Sequence, residues 1–310
     1  MASDQINVEM GGRQLRLSNL EKVLWPEAGF TKGQMIDYYA RIAEVMVPHL
    51  AARPITLRRY PNGVDGQSFF EKNCPSHRPP WLPVTDMTDR HGKTISFCLL
   101  EEQAALVWTA NLAAIELHPA LARGDRLDQP TSVVFDLDPG PGADVITCGR
   151  VALLIRETLE ALGLMSWVKT SGSKGLQLYV PLNSEITYEQ TRPFSLALAQ
   201  VLERAHPDLV VTTQDKSVRP NRVLIDWSQN TEFKTTVAVY ALRARSRPTV
   251  STPLTWEELE EAVDAGDAAR LVFETAQVLD RVADHGDLMA PLLRIKQSLP
   301  DLEAAPARRR

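Results

Sequence analysis

What this 310-residue chain lacks sets the first limits on what it can be. It has no apolar run near the roughly 20 residues that a bilayer-spanning helix needs. Its start, MASDQINVEMGG, has neither the basic nor the apolar region of a secretory signal, so a cytoplasmic protein without a membrane partner is expected. Cysteine is scarce: Cys74, Cys98 and Cys148 form neither metal-spaced pairs nor an even disulfide framework, and inert thiols in a reducing compartment are expected. Net positive charge is missing too. At −5, the chain does not look like one that coats nucleic acid non-specifically, which takes clustered Lys and Arg. No internal repeat is visible. What remains, 44% hydrophobic and 24% charged residues, is the composition of a globular chain long enough for one large domain or two packed ones. Cations gather at Arg53, Arg58, Arg59 and Lys72 and again from Arg219 to Arg247, whereas acids crowd between Glu257 and Asp287. A basic groove on an acidic protein is compatible with that distribution.

From Thr131 onward the hydrophobic period switches between two and 3.6. SVVFDLD alternates as a strand, and Val151, Leu154, Ile155, Leu159 and Leu162 mark a helix face that Gly163 ends. MSWVKT and LQLYVPL read as strands joined by the turn SGSKG, Phe194, Leu198, Val201 and Leu202 give a second helix face, and DLVVTT closes the unit. The order strand, helix, strand, strand, helix, strand is a split β-α-β arrangement. RVLIDWS must join the same sheet, and the loop at Pro220 predicts a hairpin with LVVTT. The expected fold class is α+β, with an RRM-like sheet in a core spanning residues 131–300. Residues 1–130 are expected to form an α/β module packed on that sheet, with a helix from Lys32 to about Leu50, extended pieces at ITLRRY and TISFCLL, and a helix through AALVWTANL. The tail, residues 301–310, is expected to be disordered.

In VVFDLDPG, alternation puts Val133, Phe135 and Leu137 on one strand face and Asp136 and Asp138 on the other. Two carboxylates on one face repel unless something positive lies between them, and oxygen-only ligation suits magnesium or manganese. VLIDWSQN ends a second apolar strand in Asp226, a third carboxylate for a two-metal site. A solvated strand face with a turn-capping aspartate, or a phosphatase with an aspartyl nucleophile, would carry the same D-x-D pattern.

SGSKG offers backbone N–H groups, the hydroxyls of Ser171 and Ser173 and the ammonium of Lys174, a set that suits a polyphosphate but that an ordinary hairpin turn also contains. Arg219, Lys234, Arg243 and Arg245 could neutralise more phosphate charge or lie on the solvated surface. Of the adjacent rings Phe69 and Phe70, at least one is expected in the core and the other is free to stack on a base. His118 reads first as a core histidine bonded to backbone. Thr31 and Gln34 form a capping box that opens a helix and puts Lys32 in its first turn, among N–H groups without partners. A cation there opposes the helix dipole unless an anion binds, and Lys22 could reach the same anion; two exposed lysines are the alternative.

The ordered set LEKVLWP, FTK, RRYPNGVDG, FFEK, ELH, VFDLDPG, TSGSKGL, DWSQN, KTT and YALRARSRPTV resembles the polymerase domain of bacterial ligase D, an archaeo-eukaryotic primase-like module of non-homologous end joining. The match runs from about Leu17 to about Leu293, and DLDPG with DWSQN turns the D-x-D reading away from a phosphatase. The resemblance implies a DNA-repair primase-polymerase, a nucleotidyltransferase that fills short gaps and extends broken ends with ribonucleotides preferred. It implies that Asp136, Asp138 and Asp226 are catalytic and hold two divalent ions, manganese or magnesium. Phe70, His118, Ser171, Lys174, Gln177, Gln229 and Arg243 then meet the incoming NTP or dNTP, and Lys22 and Lys32 grip the 5′-phosphate of gapped or broken duplex DNA. Gln177 departs from the histidine usual there, and triphosphate affinity is expected to change with it. Because the sequence stops soon after this module, a stand-alone, nucleoid-associated protein is expected, working with a separate ATP-dependent DNA ligase and Ku. The rival from another class is a catalytically silent protein that bridges DNA ends for a ligase. A metal-dependent phosphatase or nuclease is a third reading, and the intact acidic triad favours synthesis.

Overall fold

The computed structural model describes residues 5–88 and 91–300; the expected tail, residues 301–310, lies outside the described residues. The N-terminal half opens with a hairpin of β1 (Gln5–Met10) and β2 (Arg13–Ser18), in which Leu15 and Leu17 point inward. Two short strands, β3 (Val23–Trp25) and β4 (Phe30–Thr31), lead into α1 (Lys32–Leu50). The capping box forms as read: the Thr31 hydroxyl accepts from the Gln34 N–H, and the Gln34 side chain accepts from the Thr31 N–H. Met35, Tyr38, Tyr39, Ile42, Met46 and Leu50 form the buried stripe, spaced three and four apart. β5 (Ile55–Arg59), β6 (Phe69–Glu71), β7 (Val84–Thr88), β8 (Thr94–Cys98) and, after α2 (Gln103–Asn111), β9 (Ala114–Pro119) make a five-stranded sheet under α1 and α2. A small hairpin of β10 (Ala122–Arg123) and β11 (Arg126–Pro130) follows.

The expectation of unpaired thiols fails here. Cys74 and Cys98 form a disulfide with their Cα atoms 4.9 Å apart, because the loop after β6 folds back on β8, where the Cys74 N–H bonds the Ser96 carbonyl. Cys148 is free and buried, as expected of an inert thiol.

The second half is built on β12 (Ser132–Pro139), α3 (Val145–Ala161), β13 (Trp167–Thr170), β14 (Leu176–Pro181), α4 (Tyr188–Ala205), β15 (Val210–Val211), β16 (Val223–Asp226) and β17 (Pro253–Leu254). α5 (Trp256–Ala265) and α6 (Thr275–His285) complete it. The six-stranded sheet runs β15-β16-β12-β14-β13-β17. This is the split β-α-β order with β16 inserted between its outer strand and β12. The expected hairpin is corrected: β15 and β16 pair in parallel, so the loop through Pro220 is a crossover that lets β16 pair antiparallel with β12. Val201 is also corrected; it is exposed, and α4 buries Phe194, Leu198, Ala199 and Leu202 instead.

Two apolar clusters form. One lies between the central sheet and α3, α4 and α5 and takes Val133, Phe135 and Leu137; the other fills the N-terminal half and takes Val134 and Tyr179 from the opposite sheet face, together with Val237–Leu242. Each fully buried aliphatic side chain contributes roughly 1.5–3 kcal/mol. β12 is thereby pinned on both faces, and its even-numbered residues must face the N-terminal half.

β16 stops at Asp226, which would leave the Val134 backbone without a neighbour on that side. Asn230 replaces the missing strand: its Oδ1 accepts from the Val134 N–H at 2.8 Å and its Nδ2 donates to the Val134 carbonyl at 2.7 Å. Asn230→Ala strands both groups in the interior and should lower stability by about 2–4 kcal/mol. Urea unfolding checks this as a lower midpoint at constant slope, and an unchanged midpoint would show that Asn230 does not hold β12.

Candidate active site

Strand register assembles the site. Asp136 on β12 faces Asp226 on β16 and, on its other side, Gln177 on β14, which in turn faces Lys169 on β13. One row therefore reads Asp226, Asp136, Gln177, Lys169 across four strands, with Asp138 two residues along on the same face. The turn beyond β12 and the SGSKG loop are held against the sheet at two glycines. A methyl group at Gly140 would collide with the Arg219 carbonyl, and one at Gly175 with the Leu137 carbonyl.

The carboxylates are strained electrostatically. Burial, then the charge of Asp138, push the Asp136 pKa upward, with Asp226 adding to the effect and the Gln177 hydrogen bond opposing it. Asp138 opens on solvent at the strand's end; burial of its base raises its pKa as well, Arg219 opposes and Asp226 adds. Gln177 Nε2 donates to Asp136 Oδ1 at 3.0 Å. Asp226 caps the 3-10 turn that follows it: Oδ1 accepts from the Ser228 N–H and hydroxyl, and Oδ2 accepts from Gln229 Nε2 at 2.8 Å. An all-oxygen donor set with unrelieved negative charge fits hard divalent cations. Among the described residues no three acidic, His or Cys side chains already form a closed metal cage, since Asp226 is turned toward Ser228 and Gln229.

Asp136 and Asp138 open on a cleft of about 250 Å³ that also takes in His118, Ser171, Ser173, Lys174, Gln177 and Arg243, while Asp226 is buried beside them. The structure thus brings most of the candidate residues together, with three corrections. First, Ser171 is engaged inside its own turn: its hydroxyl accepts from the Ser173 and Gly175 N–H groups, so those donors are not free in this arrangement, and Arg243 donates to its carbonyl. Lys174 remains exposed. Second, the partner of His118 is a carboxylate, not backbone: Nε2 lies 3.0 Å from Glu116 Oε2. An ionised Glu116 can only accept, so Nε2 carries the proton and Nδ1 is left as an acceptor. Third, neither Phe69 nor Phe70 enters the core. They are 44% and 59% exposed on the edge strand β6, with Phe70 edge-on to His118 at 5.9 Å and under the Arg58 guanidinium.

Glu116 organises this corner and was not legible as a functional residue. Beyond His118 it receives Arg58 at 3.4 Å, Arg243 at 3.3 Å and the Ala244 N–H at 3.2 Å. Burial alone would raise its pKa, but the His118 bond and the Arg243 charge bring it well below the usual carboxylate range. The E-L-H spacing on one strand face was the signal that could have linked it to His118.

Lys22 and Lys32 stand apart from the cleft and beside each other. Lys32 is 5% exposed, its Nζ donates to the Ser18 carbonyl at 2.6 Å, and burial followed by the charge of Lys22 pushes its pKa down to about 8. Lys22 Nζ reaches Asn62 Oδ1 at 3.3 Å. The helix N–H groups expected to be free are not: Lys32 N–H bonds the Lys22 carbonyl, Gly33 N–H the Leu20 carbonyl and Gln34 N–H the Thr31 hydroxyl. Any anion here would meet two ammonium groups, not a bare helix end.

Residues 31–289 match the family model described as LigD, primase-polymerase domain. The chain belongs to this family. It is 43% identical over 281 residues to the multifunctional non-homologous end joining protein LigD of Mycolicibacterium smegmatis, covering 90% of this chain and 36% of that protein. The bifunctional LigD of Bacillus subtilis is 31% identical, with 88% and 43% covered. The chain thus spans well under half the length of these curated relatives. Among solved structures, the polymerase domain of Mycobacterium tuberculosis ligase D in complex with DNA superposes with a TM-score of 0.83 at 40% identity, covering 89% of this chain and 97% of that one. As a LigD primase-polymerase domain, the chain has the archaeo-eukaryotic primase fold and is a DNA nucleotidyltransferase. No helix among its described residues is long and apolar enough to cross a membrane.

Because the pKa of Glu116 lies below its unfolded value, its carboxylate contributes stability that is complete above about pH 5 and is lost as the pH falls. Glu116→Gln removes that titration. Between about pH 5 and pH 3 the wild-type unfolding free energy should fall more steeply than the variant's, by up to about 1.4 kcal/mol per pH unit. Equal slopes in denaturant melts across that range would refute the ionised cluster.

Proposed function

We propose that this domain adds nucleotides, ribonucleotides in preference, to primer 3′ ends at short gaps or broken ends that carry a downstream 5′-phosphate. The observation that carries the reading is the direct cross-strand pairing of Asp136 with Asp226, where Asp136 and Asp138 face a cleft that also holds Lys174, His118 and Arg243. The DNA-bound state of the similar mycobacterial polymerase domain supports duplex DNA as the partner. The end-joining names of the relatives support a place in end joining, and a separate ATP-dependent DNA ligase and Ku, at the nucleoid in the cytoplasm, are part of the proposal.

Asp136, Asp138 and Asp226 would hold two divalent ions, manganese or magnesium, which when bound supply charge neutralisation at the α-phosphate and a more acidic primer 3′ hydroxyl. The rest falls to the chain itself. Lys174, exposed on its loop, and Arg243, anchored by Glu116, receive the triphosphate. His118 offers Nδ1 as an acceptor to the nucleotide, and Phe70 presents an exposed ring to a base. Gln229, which donates to Asp226 Oδ2, would release that oxygen when a metal binds. Lys22 and Lys32 fix the 5′-phosphate and so set the distance from the downstream strand to the cleft.

The deciding experiment is extension of a primer across a short 5′-phosphorylated gap with manganese and either sugar. Wild type should extend, ribonucleotides faster; Asp136→Asn should lose at least about a hundredfold in rate while gap binding stays within about twofold. Retained synthesis in that variant would refute the assignment, and tight gap binding without synthesis by the wild type would favour an end-bridging role.

The lysine pair adds a pH signature. A bound phosphate dianion holds the proton on Lys32, whose pKa of about 8 in the free protein otherwise lets it go. Affinity for a 5′-phosphorylated gap should be flat just below about pH 8 and fall by up to tenfold per unit above it. Lys32→Ala should bind more weakly and flatten the curve; a wild-type affinity independent of pH between 7 and about 9.5 would detach Lys32 from the phosphate.

A further inference from the structure

Lys169 is a basic side chain sealed in the interior at 1% exposure, and among the described residues it touches no carboxylate. A buried ammonium ordinarily pairs with an acid directly. Here Nζ donates to two neutral oxygens, Gln177 Oε1 at 2.7 Å and Ser251 Oγ at 2.6 Å, and the nearest acid of its row, Asp136, lies one strand further on. The Ser251 hydroxyl proton is committed to the Thr170 carbonyl at 2.9 Å, so Ser251 can only accept from Lys169.

An amide has two unlike ends. A carboxylate only accepts and an ammonium only donates, so Gln177 between them has one allowed orientation. Oε1 turns to Lys169, where Tyr179 OH also reaches it at 3.2 Å, and Nε2 turns to Asp136 Oδ1. The reversed amide would set oxygen against carboxylate and nitrogen against ammonium. We propose that Lys169 is a positioning residue for the catalytic centre, fixing the Gln177 amide so that Asp136 presents its other oxygen to the cleft. This rests on the reading of Asp136 as a metal ligand.

The alternative, that Lys169 acts only through its charge, makes the opposite prediction. Removing a cation near three carboxylates would tighten a bound divalent ion, whereas loss of positioning weakens it. Lys169→Met keeps the length of the stem without the ammonium. Calorimetric titration of Mn²⁺ alone into the folded protein should give about tenfold weaker binding for Lys169→Met and for Gln177→Met, and no further loss in the double variant. Tighter binding in Lys169→Met, or losses that multiply in the double variant, would overturn the proposal. Should Lys169→Met not fold, Ser251→Ala releases Nζ from its anchor and should weaken Mn²⁺ about threefold in the wild-type background and not in Gln177→Met. Equal effects in both backgrounds would overturn it. Wild type that takes up no Mn²⁺ refutes the metal reading itself, and this inference with it.

Discussion

Three like charges are held on one face of a buried sheet, and the structure around them exists to keep them there. β12 cannot rotate them away: Val133, Phe135 and Leu137 lock its other face into the helical core, and a one-residue slip would exchange every side chain between faces. Burial first, then the neighbouring acids, therefore raise the pKa values of Asp136 and Asp138, and movement does not relieve them. Asn230 completes the ladder where β16 ends, Gly140 and Gly175 let the loops close over the carbonyls they touch, and Gln177 takes one oxygen of Asp136. Each device fixes geometry while leaving the charge in place.

The cleft is a product of two cores meeting on one sheet. The N-terminal cluster covers the sheet face at Val134 and Tyr179 and stops short of the acids at the strand's end. Val237–Leu242, late in the chain, packs into that N-terminal cluster and continues directly into Arg243, which bonds both the SGSKG loop and Glu116 on β9. A single arginine so ties together three regions far apart in sequence. Cleft-lining groups drawn from both halves are thereby set on one rigid frame, which is what preorganised charge stabilisation needs.

Local patterns were legible in the sequence and long-range partners were not. The alternation of SVVFDLD, the capping box at Thr31 and Gln34 and the helix end at Gly163 follow from neighbours within a few residues, and all three appear. The parallel pairing of β15 with β16 was missed because a loop containing proline reads alike as turn or crossover. Lys169 and Asn230 were missed for a shared reason: each bonds a partner far away in sequence. Glu116 meets His118 within β9, but the arginines that make it a hub arrive only through the fold. The Cys74–Cys98 bridge joins residues whose spacing matches no motif, and only the path of the loop brings them together. The resemblance supplied the candidate site residues, while their hydrogen bonds had to come from the fold.

Charge distribution resolves how an acidic protein can serve polyanions. Much of the basic cluster seen in the sequence is used internally: Arg53 is buried against the Ala120 and Leu121 carbonyls and Thr131, Arg58 and Arg243 face Glu116, and Arg59 bonds Glu71. Those cations shape the frame and are unavailable for counterion release along a DNA backbone. Exposed positive charge remains at separate points: Lys174 in the cleft, Lys22 beside the buried Lys32, and Lys72, Lys234 and Arg245. Separate points of positive charge favour contacts with individual phosphates. A net charge of −5 opposes non-specific adherence to a polyanion, so contact with nucleic acid has to be made at such points.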